Sequence, residues 1–287
     1  MNVFVWACLA TRDCRNDAMS KFVAALPMYD WPEARSETDA LWNRVRDALQ
    51  VQGIQAPERL ARRNADLPPV PGGIRDAAGK VIAADPATLP PDEFDLHVMW
   101  RHPGLLFGQT CWGPMELGLA EHVRVVGQPD YSAYEGGEGE LYSSAILMRR
   151  TEAERVHAPA DGRAFIPLDR LQGMRFAYNG ADSMSGLIAL SRDLATIGQD
   201  LDIFVGRVET GSHRASAVAV ARGEADACAV DCRSWDLIRR FEPLASELRV
   251  AGWTARRKGL PYIAARTTPP FPLDFATILL RSGRDGT

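Results

Sequence analysis

The sequence predicts an α/β fold, and three observations carry that prediction. Apolar runs of strand length recur and empty into polar turns, as in "FVAALPMYD" (22–30), where Pro, Tyr and Asp stop the run. Amphipathic helices follow such turns, beginning with the helix expected over residues 36–53. Two of the strand-to-helix turns are rich in small polar residues, "YNGADSMSG" (178–186) and "ETGSHRAS" (209–216).

The elements follow in order. The helix over 36–53 places Leu41, Trp42, Val45, Ala48 and Leu49 on one face. Ser36 with Asp39 three residues on has the form of a capping box, and Gly53 ends the helix. Residues 64–93 are rich in Pro, Gly, Asp and Ala and read as an extended loop with a small hairpin at "DAAGKV". Strand, tight loop, helix and strand are expected over 102–129, then strands over 139–150, 171–180, 202–209 and 225–231. Helices over 185–197 and 212–222 lie between the later strands, and 237–254 adds a helix and a strand.

Bulk composition narrows the function classes. The 287 residues suffice for one large domain or two ordinary ones. Hydrophobic residues make up 46% and charged residues 24%, with a net charge of −4, as in a globular soluble protein. A mildly acidic chain without a basic stripe is a poor nucleic-acid binder, and "RLARR" (59–63) and "ARRK" (255–258) read as solvated surface. No run approaches the ~18–20 apolar residues of a membrane span. The five cysteines (8, 14, 111, 228, 232) have neither metal-site nor redox-pair spacing. Cys228 and Cys232 read as buried free thiols, and a Cys8–Cys14 disulfide stays open. The apolar run at 3–10 lacks a preceding basic residue, so it is either a degenerate export signal or an extension upstream of Met19.

Candidate site residues cluster at the turns. The leading N–H groups of a helix lack internal partners and sit in positive potential, so a start built of small residues can hold an anion. Ser183, Met184 and Ser185 form one such start; Thr210, Gly211 and Ser212 form the other. Each has ordinary capping as its alternative. His213, in a first helical turn, gains nothing from the dipole when charged and so points to an anionic partner, unless it is simply exposed. The turn "GQTCWGPME" (108–116) adds Thr110 as a donor, Trp112 as a wall and Cys111 as a candidate nucleophile. Tyr29 and Asp30 end the first strand; Asp231 ends another, either facing a ligand or capping the next helix.

These stretches, with "LLFGQTCWGP" (105–114) and "GLPYIAAR" (259–266), resemble in order the phosphate/phosphite/phosphonate-binding proteins of ABC transporters, over residues 22 to 268. The resemblance implies a two-lobed periplasmic-binding-protein fold, the Venus flytrap, each lobe a mixed sheet flanked by helices. Lobe 1 would hold residues 20–138 and 232–287, and lobe 2 residues 139–231. It implies a non-catalytic protein without cofactor or metal. A small oxyanion (phosphonate, phosphite or phosphate) would lie between the lobes, held by Tyr29, Thr110, Ser183, Met184, Ser185, Ser212, His213 and Asp231. It further implies a membrane permease as partner, a periplasmic location and a monomer. The chain departs from the family where Met184 stands in place of a threonine. Its 64–93 loop is longer, and "FATILLRSGRDGT" is a shorter C-terminus than the family's. Binding or sensing of a small organic or phosphorylated ligand, such as a vitamin precursor, without transport and in the cytoplasm is one alternative. An enzyme of acyl or phosphoryl chemistry, thiol-dependent through Cys111 or using His213, is another.

Overall fold

The structure is a computed structural model that describes residues 21–270. The N-terminal apolar run, Met19, the Cys8–Cys14 pair and the last 17 residues, including "FATILLRSGRDGT", lie outside those residues. From the N-terminus the chain forms β1 (Val23–Ala25), α1 (Arg35–Val51), β2 (Ile74–Arg75), β3 (Val81–Ala83), α2 (Leu96–Arg101), β4 (Leu105–Gln109), α3 (Trp112–Glu116) and β5 (Val123–Gly127). It continues through β6 (Gly137–Glu138), β7 (Leu141–Tyr142), β8 (Ser144–Arg149), α4 (Leu168–Leu171), β9 (Arg175–Tyr178) and α5 (Ala189–Thr196). The last elements are β10 (Gly206–Glu209), α6 (His213–Ala221), β11 (Ala227–Asp231), α7 (Cys232–Phe241), β12 (Leu248–Trp253), β13 (Arg257–Lys258) and β14 (Tyr262–Ala265).

Two mixed sheets organise these elements into two lobes. The first runs β1-β4-β14-β5, with β1 parallel to β4 and β14 antiparallel to both β4 and β5. The second runs β10-β9-β11-β8-β12, with β9, β10 and β11 parallel and β8 antiparallel to β11 and β12. Residues 128–143 and 254–261 pass between the sheets, and there β6, β7 and β13 make a three-stranded ribbon. In each sheet the inner antiparallel strand is the one that has just arrived from the other lobe.

Helices cover the sheets because the strands are apolar on both faces. In β1 the side chains alternate: Val23 and Ala25 pack with Trp100, Met115 and Ile263, while Ala24 and Leu26 pack with Trp42, Leu49 and Phe107. The α1 face of Leu41, Trp42, Val45 and Leu49 is buried as its spacing predicts. Its start is different: Ala34 is the N-cap and a short turn over Pro32–Ala34 leads in, so Ser36 lies inside the helix and forms no capping box. Gly53, at φ +75°, follows the last turn. The 64–93 segment contains the expected hairpin, β2 and β3 joined at Asp76–Lys80. Cys228 and Cys232 are buried free thiols.

One pairing departs from the sequence boundaries. Residues 232–287 were expected to return to lobe 1, yet β12 hydrogen-bonds to β8 in the second sheet. Trp235, Leu237 and Ile238 of α7 pack there with Leu147, Leu248 and Val250. The return comes only after Trp253. An apolar strand carries no mark of which sheet it joins; pairing decides that.

Candidate functional site

The site is assembled where strand ends of the two sheets meet. From the second lobe comes the turn after β9, which opens a wide helical turn over Met184–Ile188 before α5. Leu187 and Ile188 both donate to the Ser183 carbonyl, at 3.2 and 3.1 Å, so the turn contains one residue more than a regular α-turn. Ser183 caps it, its Oγ accepting from Gly186 N at 3.1 Å. A Cβ at position 186 would lie 1.8 Å from Asn179 Oδ1, so the Asn179 amide sits where it does only because residue 186 is glycine. Ser183, Met184 and Ser185 are all buried.

The first lobe meets this turn at the start of α3. Met184 N donates to Cys111 Sγ at 3.2 Å, so a thiol of one lobe accepts from the helix start of the other. Gly113 makes the approach possible: a Cβ on it would fall 1.7 Å from the Asp182 carbonyl. The neighbouring Thr110 is fully buried, and its Oγ1 has no hydrogen-bond partner among the described residues. Trp112 walls the same turn and donates from Nε1 to the Gly259 carbonyl at 2.7 Å.

A chain of polar contacts runs across from these elements. Ser185 Oγ lies 2.9 Å from His213 Nε2, and His213 Nε2 lies 3.5 Å from Asp231 Oδ2. Tyr29 donates to Asp231 Oδ1 at 3.0 Å and stands 3.2 Å from the Tyr131 hydroxyl, which accepts from Leu260 N at 2.9 Å. Asp231 also accepts from Ser234 N at 2.9 Å, so it is at once the cap of α7 and a member of this network. The capping reading of Asp231 left open by the sequence therefore holds.

Burial sets the protonation states. Desolvation lowers the His213 pKa below the usual imidazole range, with the Asp231 carboxylate pulling it partly back. The ring is therefore neutral near pH 7 and serves as a hydrogen-bonding group, where the sequence pointed to a cation seeking an anion. Its other nitrogen, Nδ1, has no hydrogen bond of good geometry among the described residues. Desolvation, reinforced by Asp231, pushes Tyr29 and Tyr131 well above the ordinary phenol value, which keeps both hydroxyls as donors. Burial pushes the Cys111 thiol up to about 11, far from the activated thiolate that nucleophilic catalysis needs.

Of the eight residues expected at the site, Tyr29, Thr110, Ser183, Met184, Ser185, His213 and Asp231 gather at the lobe interface, buried or nearly so. Ser212 does not join them. It is exposed, and its Oγ accepts from Ala215 N at 3.1 Å as the cap of α6. Asp30 is held elsewhere, by Arg62 at 2.6 Å and by Thr38. Tyr131, Asn179 and Gly113 were not singled out from the sequence. Tyr131 sits in an unremarkable "PDYSAY" loop, and only the fold brings it to Tyr29.

Ion pairs rim the interface. His97 faces Asp182 at 3.7 Å, Arg214 faces Glu33 at 2.9 Å, and Arg192 is paired with Glu116. Solvent reaches all of them and screens their attraction, so they add little to stability. Among the described residues no helix is long and apolar enough to cross a membrane.

Two mixed sheets joined by two crossovers, the first completed by β14 only after the whole second sheet, and meeting at helix starts, define a periplasmic binding protein of the two-lobed class. The family model for the ABC transporter phosphonate periplasmic substrate-binding protein matches residues 123–282, and the chain belongs to that family. It is the substrate-binding component of an ABC uptake system, with a small ligand and a membrane permease as partners, and not an enzyme. Among solved structures it is similar to PhnD1 from Prochlorococcus marinus in complex with methylphosphonate. The identity is 17% and the TM-score 0.55, covering 91% of this chain and 83% of that one. A binding component of an ABC phosphonate transporter from Pseudomonas aeruginosa is 14% identical with a TM-score of 0.53, covering 91% and 72%. At such identities the likeness is one of fold. No curated protein matches by sequence.

Proposed function

We propose that the chain binds a small phosphorus oxyanion, a phosphonate above all, between its lobes. Ser183, Met184 and Ser185 grip it from the second lobe, His213 and Asp231 stand beside them, and Tyr29 and Thr110 contribute from the first. The observation that carries this reading is the chain of contacts from Ser185 through His213 and Asp231 to Tyr29, which joins a helix start of one lobe to the bend after β1 of the other. Helix N–H groups and hydroxyls supply donors to an oxyanion without a formal positive charge. Thioether Met184 supplies only its backbone N–H. A ligand oxygen is a stronger acceptor for that N–H than the Cys111 sulfur now opposite it.

Asp231 shapes the choice among anions. A buried carboxylate repels a fully ionised ligand and accepts from a protonated oxygen or an amine, so monoprotonated or amine-bearing phosphonates suit the site. The division into lobes that accompanies this reading is residues 21–138 with 254–270 for the first and 139–253 for the second. The protein acts as a monomer on the periplasmic face, handing its ligand to the permease when the lobes have closed.

The test is thermal unfolding against phosphate, phosphite, methylphosphonate, 2-aminoethylphosphonate and sulfate. A ligand at ~1,000 times its dissociation constant adds about 4 kcal/mol of stability. We expect a rise with a phosphonate that Ser185→Ala reduces. A flat response to all five compounds would remove the oxyanion site while leaving the fold untouched.

A further inference from the structure

On the far side of α7 lies a second concavity of about 680 Å3, bounded by the end of β8, the last turn of α7, the Pro243–Glu247 turn and the start of β12. Five arginines line it: Arg150, Arg155, Arg239, Arg240 and Arg249. Glu242 is the one acidic lining residue, and it is already engaged by Arg214 at 2.9 Å. Three of the five are compensated by neighbouring carboxylates, which leaves Arg150 and Arg249 as a local excess of positive charge on a chain whose formal net charge is −4.

The arginines fall into two sets. Arg239 stacks over Trp235 and pairs with Asp236 at 2.9 Å; Arg240 stacks over Phe241 and pairs with Glu37 at 2.6 Å. Arg155 pairs with Glu135 at 2.9 Å. Arg150 and Arg249 have no carboxylate partner among the described residues, although Arg150 N is fixed to the Glu247 carbonyl at 2.7 Å. Stacking on the aromatic rings fixes the planes of the first set, while the second set leaves its planar forks of donors free for oxygen ligands.

We propose that this groove binds a small molecule bearing a polyphosphate chain, at a site separate from the interlobe cleft. A single anion engages one or two guanidinium groups, whereas successive phosphates reach several at once. The volume suits a ligand of that size. Both aromatic faces are taken by arginines, so the phosphate chain and not an attached ring decides the binding.

Isothermal titration of the full chain with tripolyphosphate, ATP and orthophosphate tests this in wild type, Arg150→Ala/Arg249→Ala and Ser185→Ala. Saturable 1:1 binding of tripolyphosphate and ATP with similar affinity is expected, and in Ser185→Ala, where the cleft is weakened, it is at least 10-fold tighter than orthophosphate. The double variant loses at least 10-fold, and Ser185→Ala loses nothing. Absence of saturable binding, or binding that survives the double variant, overturns the proposal. So does loss in Ser185→Ala, which would place the ligand in the cleft. A glutamate-rich peptide binding more tightly than tripolyphosphate also overturns it, in favour of a protein partner. If the double variant shows altered circular dichroism, Arg150→Glu, on an exposed side chain, carries the same test.

Discussion

The two serine-rich helix starts of the second lobe look alike in sequence and behave differently. At Met184 the helix start is buried, widened by an extra residue, and met by Cys111 of the first lobe. At Ser212 the helix start is exposed and closed on itself, Ser212 capping Ala215 while Thr210 Oγ1 contacts Ser216 Oγ at 2.6 Å. The second turn gives the site its side chain, His213, and not its N–H groups. Capping chemistry alone does not make an anion site: a helix start becomes one when another part of the molecule covers it and excludes water.

The largest effect that tests this contrast is expected from Gly113→Ala. The added Cβ collides with the Asp182 carbonyl, and opening the lobes relieves the collision. Ligand affinity falls by more than the about 1.5–3 kcal/mol that one hydrogen bond to a charged group supplies, while the ligand-free fold keeps its stability. Small-angle scattering that still showed compaction on ligand addition would contradict this role. Gly186→Ala makes the complementary change within one lobe. The Asn179 amide must turn away from the added Cβ, at a cost of about 1–3 kcal/mol, read as a lower unfolding midpoint without ligand.

Smaller effects sharpen the comparison. Ser185→Ala weakens phosphonate binding by about 1.5–3 kcal/mol in calorimetry; unchanged affinity would move the ligand away from this turn. His213 separates the two starts by pH. Its pKa in the fold is depressed by burial, so the unfolded chain binds the proton more tightly. The stability it contributes is complete above the unfolded value of about 6.5 and is lost as the pH falls below it. In His213→Gln the decline in unfolding free energy on acidification from that pH is shallower than in the parent. The smallest effect belongs to Ser212→Ala, which removes an exposed cap for about 0.5–1 kcal/mol of stability and leaves affinity unchanged.

These residues also mark what was legible in the sequence. Strand ends at Thr110 and Asp231 and helix starts at Ser183 and His213 were readable because local composition fixes where an apolar run stops and a helix begins, whereas the first strand stops at Ala25 and leaves Tyr29 in the bend beyond it. The capping-box reading of Ser36 failed because Pro32 starts a turn earlier and carries the chain into α1 ahead of the serine. The family likeness supplied the two lobes, but the membership of β12 depended on long-range pairing with β8. Tyr131 and Cys111 acquire their roles from contacts more than 70 residues away in the chain, to Tyr29 and Met184, and no local pattern encodes those distances.

The late arrival of β14 carries a consequence for how the molecule is made. In the first sheet β5 pairs with β14 alone, and β14 is residues 262–265. A nascent chain that has emerged as far as Gly127 therefore has β1 and β4 together but leaves β4 and β5 with bare edges. Those edges stay open while more than a hundred further residues are synthesised and the second sheet forms around β8. The first lobe begins folding first and finishes last, so its exposed strands depend throughout that interval on remaining unpaired with any other chain.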